Sequence, residues 1–306
     1  MSSTTTALEV ADLISKALVR REKPARSSST IYAADASGML RVLEEESVDL
    51  VITSPPYAER RKKAYGGTPA DQYVEWFLPI AAELLRVLKP TGSFVLNIKE
   101  GVHEGERQTY VYELVLRLRK QGWLFVDEFI WHKTNPFPTG NRNRLKDGFE
   151  RCYHFAKTKK FKFFPNEVRT KSTSKWAGDN ARRKNQGAHH TRNLSGMNMS
   201  KRVVGDLVRP SNVLTMPASS LNGIGHPAVF PLGLPEFFIR LMTEPGDTVL
   251  DPFMGSGTTA LATRKLDRRY EGVEVVQPYL ERTARRLAED FTMDDGTSIT
   301  LGEAEY

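Results

Sequence analysis

A short strand-like run, Thr248-Val249-Leu250, passes directly into Asp251-Pro252-Phe253-Met254-Gly255-Ser256-Gly257-Thr258-Thr259, and a helical pattern opens over 258–266. A glycine-bearing turn between strand and helix is the local unit of a doubly wound α/β sheet. It also lets the backbone approach a ligand at the strand's carboxyl end. The next strand, expected at Tyr270–Val275, carries an acid, Glu274, suited to holding a pair of ribose hydroxyls. Two familiar glycine-loop chemistries do not fit. A P-loop needs Lys before its Ser/Thr, and 254–259 contains none; the dinucleotide fingerprint needs a third glycine that is missing here. A plain glycine-rich turn is the bland alternative.

The alternation extends along the chain. Val48–Thr53 is a β-rich apolar run, and 71–89 has helical spacing of Trp76, Ile80, Leu84, Leu85 and Leu88. Pro90-Thr91-Gly92 predicts a break before a strand at Ser93–Ile98. A helix over 108–120, a strand at Trp123–Trp131 and a helix near 234–243 continue the pattern. Strands alternating with helices predict an α/β fold with a doubly wound, mostly parallel sheet. Residues 1–30 begin and end in Ser/Thr runs around a short apolar helical face, and predict a flexible or helical extension.

A second motif, Thr53-Ser54-Pro55-Pro56-Tyr57, follows a strand end. Two prolines fix φ and remove two N–H groups, so the carbonyls here are rigid and locally free of donors. A hydroxyl beside such carbonyls is an acceptor pair, which is what an amino group with two N–H bonds requires. Tyr57 adds a flat face for stacking a base. The bland alternative is a Pro-terminated strand with a surface tyrosine.

Charge is unevenly spread. The chain carries +7, but 157–209 alone has fourteen Lys and Arg against three acids, a net of +11 that leaves −4 elsewhere. Such a segment suits a polyanion. Lys171, Lys175, Arg182, Arg183 and Lys184 are its candidate contacts, joined by the run Arg60-Arg61-Lys62-Lys63 just after the second motif. His189-His190 lacks a third ligand at helical spacing, so no metal is expected. Cys152 is the single cysteine, which rules out a disulfide framework and predicts a cytoplasmic home. The chain lacks both a long apolar run and an apolar leader, so neither a membrane span nor secretion is expected.

Together the two motifs resemble the amino-methyltransferases of DNA, with S/D/N-P-P-Y/F at Ser54–Tyr57 and F-x-G-x-G at Phe253–Gly257. The catalytic motif precedes the cofactor motif, as in the permuted β class. Ala34-Asp35 is similar to that class's G-D element. Trp131-His132-Lys133-Thr134-Asn135-Pro136-Phe137-Pro138 resembles the W-x-K-x-N-P-x-P stretch of cytosine-N4 enzymes from restriction–modification systems. His226–Pro231 and Leu234–Ile239 resemble the element ahead of the cofactor loop, and the whole resemblance spans about 31–285.

The resemblance implies a circularly permuted, Rossmann-like class I methyltransferase. Residues 31–156 would be the catalytic half, 157–220 an inserted basic target-recognition region and 221–306 the cofactor half, behind the 1–30 extension. The implied cofactor is S-adenosylmethionine. Phe253, Gly255 and Gly257 would line its methionine part, and Glu274 its ribose. Asp35 would meet its adenine, and His226, Pro227 and Phe230 would close the pocket; Asp251 and Thr258 belong to the same set. Ser54 and the Pro55 carbonyl would hold the target amino group, with Pro56 stiffening the turn and Tyr57 stacked on a flipped-out base. On this reading the tyrosine ring matters and its hydroxyl does not. The implied partner is double-stranded DNA; a homodimer and a cognate restriction endonuclease are both compatible.

An exocyclic amino nitrogen is a poor nucleophile because its lone pair is delocalised into the ring. Accepting its hydrogen bonds returns density to nitrogen, and positioning then does most of the rest. Methylation at cytosine C5 would instead need a Pro-Cys nucleophile, and no proline precedes Cys152. Ser54 and the Asn135–Pro138 stretch favour N4 of cytosine. N6 of adenine is the nearest alternative, followed by an RNA or protein N-methyltransferase and a non-catalytic DNA-binding module.

Overall fold

The computed structural model describes residues 28–58, 67–136, 143–171, 207–218, 230–289 and 298–302. In chain order the elements are β1 (Ser28–Ala33), α1 (Ala36–Val42), β2 (Val48–Thr53), α2 (Tyr73–Val87), β3 (Leu88–Ile98), β4 (Val102–His103), β5 (Glu106–Arg107), α3 (Tyr110–Gln121), β6 (Leu124–Lys133) and β7 (Phe149–Ala156). There follow β8 (Thr170–Lys171), β9 (Leu207–Val208), β10 (Val213–Met216), α4 (Gly233–Met242), β11 (Thr248–Asp251), α5 (Thr258–Lys265), β12 (Arg269–Glu274), α6 (Gln277–Glu289) and β13 (Ser298–Gly302).

Nine strands form one sheet in the order β10-β6-β7-β3-β2-β11-β12-β1-β13, parallel except for β7. The centre is buried on both faces. Every residue of β2 is buried; Val51 faces one core, and Leu50 and Ile52 face the other. On β3, Phe94, Leu96 and Ile98 enter the first core and Val95 the second. Each such side chain contributes about 1.5–3 kcal/mol on burial, so the strand ends rest on a core packed on both faces. Helices α1, α2 and α3 cover the first core, and α4 and α5 the second, with α6 packed beside α5.

The expected alternation is present, and so is the mostly parallel sheet. Four features differ from the sequence expectation. β1 starts at Ser28, inside the expected extension, and pairs with β13, which is an edge strand of the sheet. Pro90-Thr91-Gly92 lies within β3 rather than between elements. The pairing jumps from Val48↔Leu88 to Leu50↔Ser93, so these residues bulge out, where a missing N–H costs little. β7 lies antiparallel between β3 and β6, which brings its first residues to the edge where the parallel strands end.

The fourth difference concerns 157–220. β10 belongs to the main sheet, paired with β6. Lys157 reaches Glu46 at 2.8 Å, and Lys162 reaches Asp49 at 3.4 Å and Asp247 at 2.6 Å. These two lysines bind the chain to itself. Among the described residues no helix is long and apolar enough to cross a membrane, and no group of three or more His, Cys, Asp or Glu is placed to hold a metal ion.

Candidate active site

β2 and β11 are neighbours, with Val249 opposite Leu50 and Leu250 opposite Val51. The helix after β2 lies on one face of the sheet and the helix after β11 on the other. A crevice opens where neighbouring strands send their connections to opposite faces, and ligands of open α/β sheets bind there. Adjacent strands lie about 4.8 Å apart, so Ser54–Tyr57 and Pro252–Gly257 border the same crevice. A buried bond joins their roots: the Thr53 hydroxyl donates to Asp251 Oδ1 at 2.6 Å.

Asp251 is fully engaged. Oδ2 accepts from Thr259 Oγ1 at 2.6 Å, and Oδ1 also accepts from the Phe253 amide at 3.2 Å. Burial pushes its carboxyl up to about 6 despite these donors. Beyond it the loop turns through two left-handed glycines, Gly255 (φ +55°) and Gly257 (φ +74°). A Cβ on Gly257 would overlap the Thr283 side chain. Thr283 Oγ1 donates to the Gly255 carbonyl at 3.1 Å, and Arg286 donates to the Ser256 carbonyl, so α6 clamps the loop from outside. Glu274, buried at the end of β12, accepts from the Gly255 amide at 2.9 Å and the Val276 amide at 2.8 Å; burial raises its carboxyl too. The loop is thus a preformed, tightly braced turn, with Phe253 and Gly255 its partly open positions and a carboxylate beside it, a set that fits a nucleoside carrying a methionine-like tail.

α2 closes the crevice from the first core. Tyr73 donates to the Pro56 carbonyl at 2.9 Å and packs on Trp76, whose ring lies 5.8 Å from that of Phe253. One turn of helix therefore touches both motifs.

On the Ser54–Tyr57 side, the Tyr57 hydroxyl donates to Glu150 Oε2 at 2.9 Å, and Ser54 Oγ donates to Tyr57 Oη at a long 3.4 Å. Burial, reinforced by the Glu150 charge, holds the Tyr57 phenol well above its ordinary range, so it stays a neutral donor. Glu150 Oε1 accepts from Lys133 Nζ at 2.6 Å, and that ammonium lies 4.9 Å from the centre of the Trp131 ring. Asn135 grips the Ala218 backbone both ways, accepting from its amide at 2.6 Å and donating to its carbonyl at 3.3 Å. The Trp131–Pro136 stretch is therefore built into the same site. A cleft of about 250 Å³ beside Glu150 is lined partly by Lys99, Glu100, Arg107 and Arg151, whose charges pair with one another or with Asp147. Cys152 is buried within β7, accepts a weak bond from Asn97, and has its thiol pushed up by burial, which disfavours the thiolate a nucleophile needs.

The structure thus gathers Ser54, Pro55, Pro56, Tyr57, Asp251, Phe253, Gly255, Gly257, Thr258 and Glu274 at one crevice. Asp35 stands one strand further on: the Ala34 amide donates to the Glu274 carbonyl at 3.2 Å, and Asp35 Oδ1 caps α1 through Ser37. Phe230 packs against the second core near α4. Lys171 is exposed on β8. His226, Pro227, Arg60, Arg61, Lys62, Lys63, Lys175, Arg182, Arg183 and Lys184 lie outside the described residues. Sequence reasoning assigned no site role to Glu150, Tyr73, Trp76, Thr283 and Arg286, and placed Lys133 only within the W-x-K-x-N-P-x-P resemblance. The apolar run Cys152–Ala156 was a strand signal that would have put Glu150 near a strand start.

The family model for N6/N4 methyltransferases, described as DNA methylase, matches residues 48–285. The chain belongs to this family. Among curated relatives of this DNA methylase, the type II methyltransferase M.PvuII of Proteus hauseri is 31% identical over 302 residues, covering 88% of this chain and 87% of that protein. The solved PvuII DNA methyltransferase (cytosine-N4-specific) superposes with a TM-score of 0.64 at 27% identity, covering 91% of this chain and 98% of the other. A solved complex of M1.HpyAVI with SAM matches at 25% identity and a TM-score of 0.53, covering 85% and 98%. The DNA methylase thus shares its fold with the solved PvuII DNA methyltransferase (cytosine-N4-specific).

Proposed function

We propose that this DNA methylase transfers the methyl group of S-adenosylmethionine to N4 of a cytosine flipped out of duplex DNA. The observation that carries the reading is the Thr53–Asp251 bond between neighbouring strands, which locks the acceptor motif and the glycine cradle into one crevice. The likeness to a cytosine-N4-specific enzyme supports the choice of base.

When bound, the cofactor supplies an electrophilic sulfonium methyl. The chain's own residues do the rest. Gly255 and Gly257 keep the cradle open, and Phe253, Glu274, Thr258 and Asp35 border it, with His226, Pro227 and Phe230 assigned to its far wall. Asp251 acts from beneath, holding the loop to β2. Ser54 Oγ and the Pro55 carbonyl accept the two N–H bonds of the target amino group and restore density to its nitrogen. Tyr57 presents its ring to the base. Lys171 and the basic residues at 60–63, 175 and 182–184 meet DNA phosphates.

Methyl incorporation counted in parallel into duplex DNA, RNA and protein tests the assignment. Incorporation confined to duplex DNA is expected. Preferential labelling of RNA or protein, or cofactor binding without any transfer, would overturn it.

A further inference from the structure

An amino group brings only donors to the site, so Ser54 must face it with lone pairs and not with its own proton. We propose that Glu150 is a positioning residue that sets the direction of a hydrogen-bond chain from Ser54 through Tyr57 to Glu150, and so keeps Ser54 an acceptor toward the target amino group. This rests on the assignment of Ser54 as an amino-group acceptor.

The direction follows from counting protons. Glu150 is salt-bridged to Lys133 at 2.6 Å, with the two side chains only 12% and 14% exposed. A carboxylate so paired has acceptors and no proton to give. Tyr57, 2.9 Å from its other oxygen, must donate to it. A phenol has one proton, so the Tyr57 oxygen can then only accept. Its nearby hydroxyl is Ser54, at 3.4 Å. Ser54 has one proton as well, and sending it to Tyr57 leaves both lone pairs for the crevice. β7 makes this possible: only an antiparallel strand brings its first residues, Glu150 among them, to the edge where β2 ends.

Glu150→Gln should reverse the chain. With the amide oxygen kept on Lys133, the amide nitrogen donates to Tyr57, Tyr57 turns its proton to Ser54, and Ser54 presents a donor to a donor. The chain predicts a double-mutant result that a purely structural role does not. Tyr57→Phe should slow methyl transfer about tenfold and Glu150→Gln about thirtyfold, within the range for one lost or opposed hydrogen bond. The double variant should be no slower than Tyr57→Phe alone, because without the hydroxyl there is no chain to reverse. Cofactor affinity by calorimetry should stay within about twofold throughout, which also reports folding.

Multiplicative losses in the double variant, or a wild-type rate for Tyr57→Phe, would overturn the proposal; the latter test does not depend on Glu150→Gln folding. Ser54→Ala separates the two levels. A wild-type rate for that variant overturns the acceptor assignment itself. A slowed Ser54→Ala alongside multiplicative losses overturns only the role of Glu150.

Discussion

Thr53 closes β2, Asp251 closes β11, and the hydroxyl of the first donates to the carboxylate of the second at 2.6 Å, with both residues buried. They are 198 positions apart in the chain. The bond is the structural seam between the Ser54–Tyr57 motif and the glycine loop, the two halves that the proposed function assigns to base and cofactor.

Thr53→Val keeps the shape and removes the donor. Asp251 then loses one of its three partners in a buried setting, which should lower stability by about 1–3 kcal/mol. Because the loop is tethered through Asp251, cofactor affinity should weaken as well. Urea unfolding and calorimetry measure both effects; unchanged values in both would show that the seam has no energetic role.

Asp251 also gives the fold a pH signature. Its carboxyl is raised to about 6 in the folded protein, from an ordinary 3.8. The folded state therefore holds the proton more tightly than the unfolded state does. This contribution is fully present below about 4, is lost as pH rises to about 6, and is flat above that. At 1.36 kcal/mol per pKa unit, the difference in stability between the wild type and Asp251→Asn should fall by about 3 kcal/mol across that window. Parallel pH profiles for the two proteins would contradict the assignment.

Much of this site was legible beforehand because its motifs are local. Ser54–Tyr57 and Asp251–Thr259 carry turn chemistry that prolines and glycines reveal on their own. What stayed hidden was long-range. The sequence presents Tyr57 as a ring, and its hydroxyl finds a partner only once β7 brings Glu150 beside it, 93 residues away in sequence. The resemblance groups Asp251 with the cofactor contacts, whereas its oxygens point to Thr53, Thr259 and the Phe253 amide. Lys157 and Lys162 belong by sequence to the basic 157–209 segment, yet their partners Glu46 and Asp247 lie far off in the chain. No periodicity in the sequence encodes such pairings.

On the proposed function, the cofactor cradle depends on its glycines. Gly257→Ala adds a Cβ at a φ of +74° and drives it into Thr283. Gly255→Asp sets a second carboxylate beside Glu274, and also beside the carboxylate of a methionine tail. Both variants should lose S-adenosylmethionine binding by calorimetry, Gly255→Asp completely. Thr283→Ser in the Gly257→Ala background should recover part of the loss by removing the obstructing methyl. Wild-type affinity in Gly255→Asp would place the cofactor elsewhere.

DNA affinity should fall steeply with salt, since each neutralised phosphate contributes a slope of about −0.9 in log K against log salt. Lys171→Ala should reduce that slope by about one and weaken binding evenly across sequences. A salt-insensitive affinity, or an unchanged slope in the variant, would remove Lys171 from the DNA-facing surface.

The chemistry itself is read out most directly by nucleoside mass spectrometry of DNA methylated by the purified protein. N4-methylcytosine is the expected product, and Ser54→Ala should form it ten- to a hundredfold more slowly, as befits one lost hydrogen bond worth about 1–3 kcal/mol. N6-methyladenine would correct the base while leaving the amino-group mechanism standing. 5-Methylcytosine would contradict that mechanism outright, because carbon methylation requires a nucleophile that Ser54, Tyr57 and the buried Cys152 do not supply.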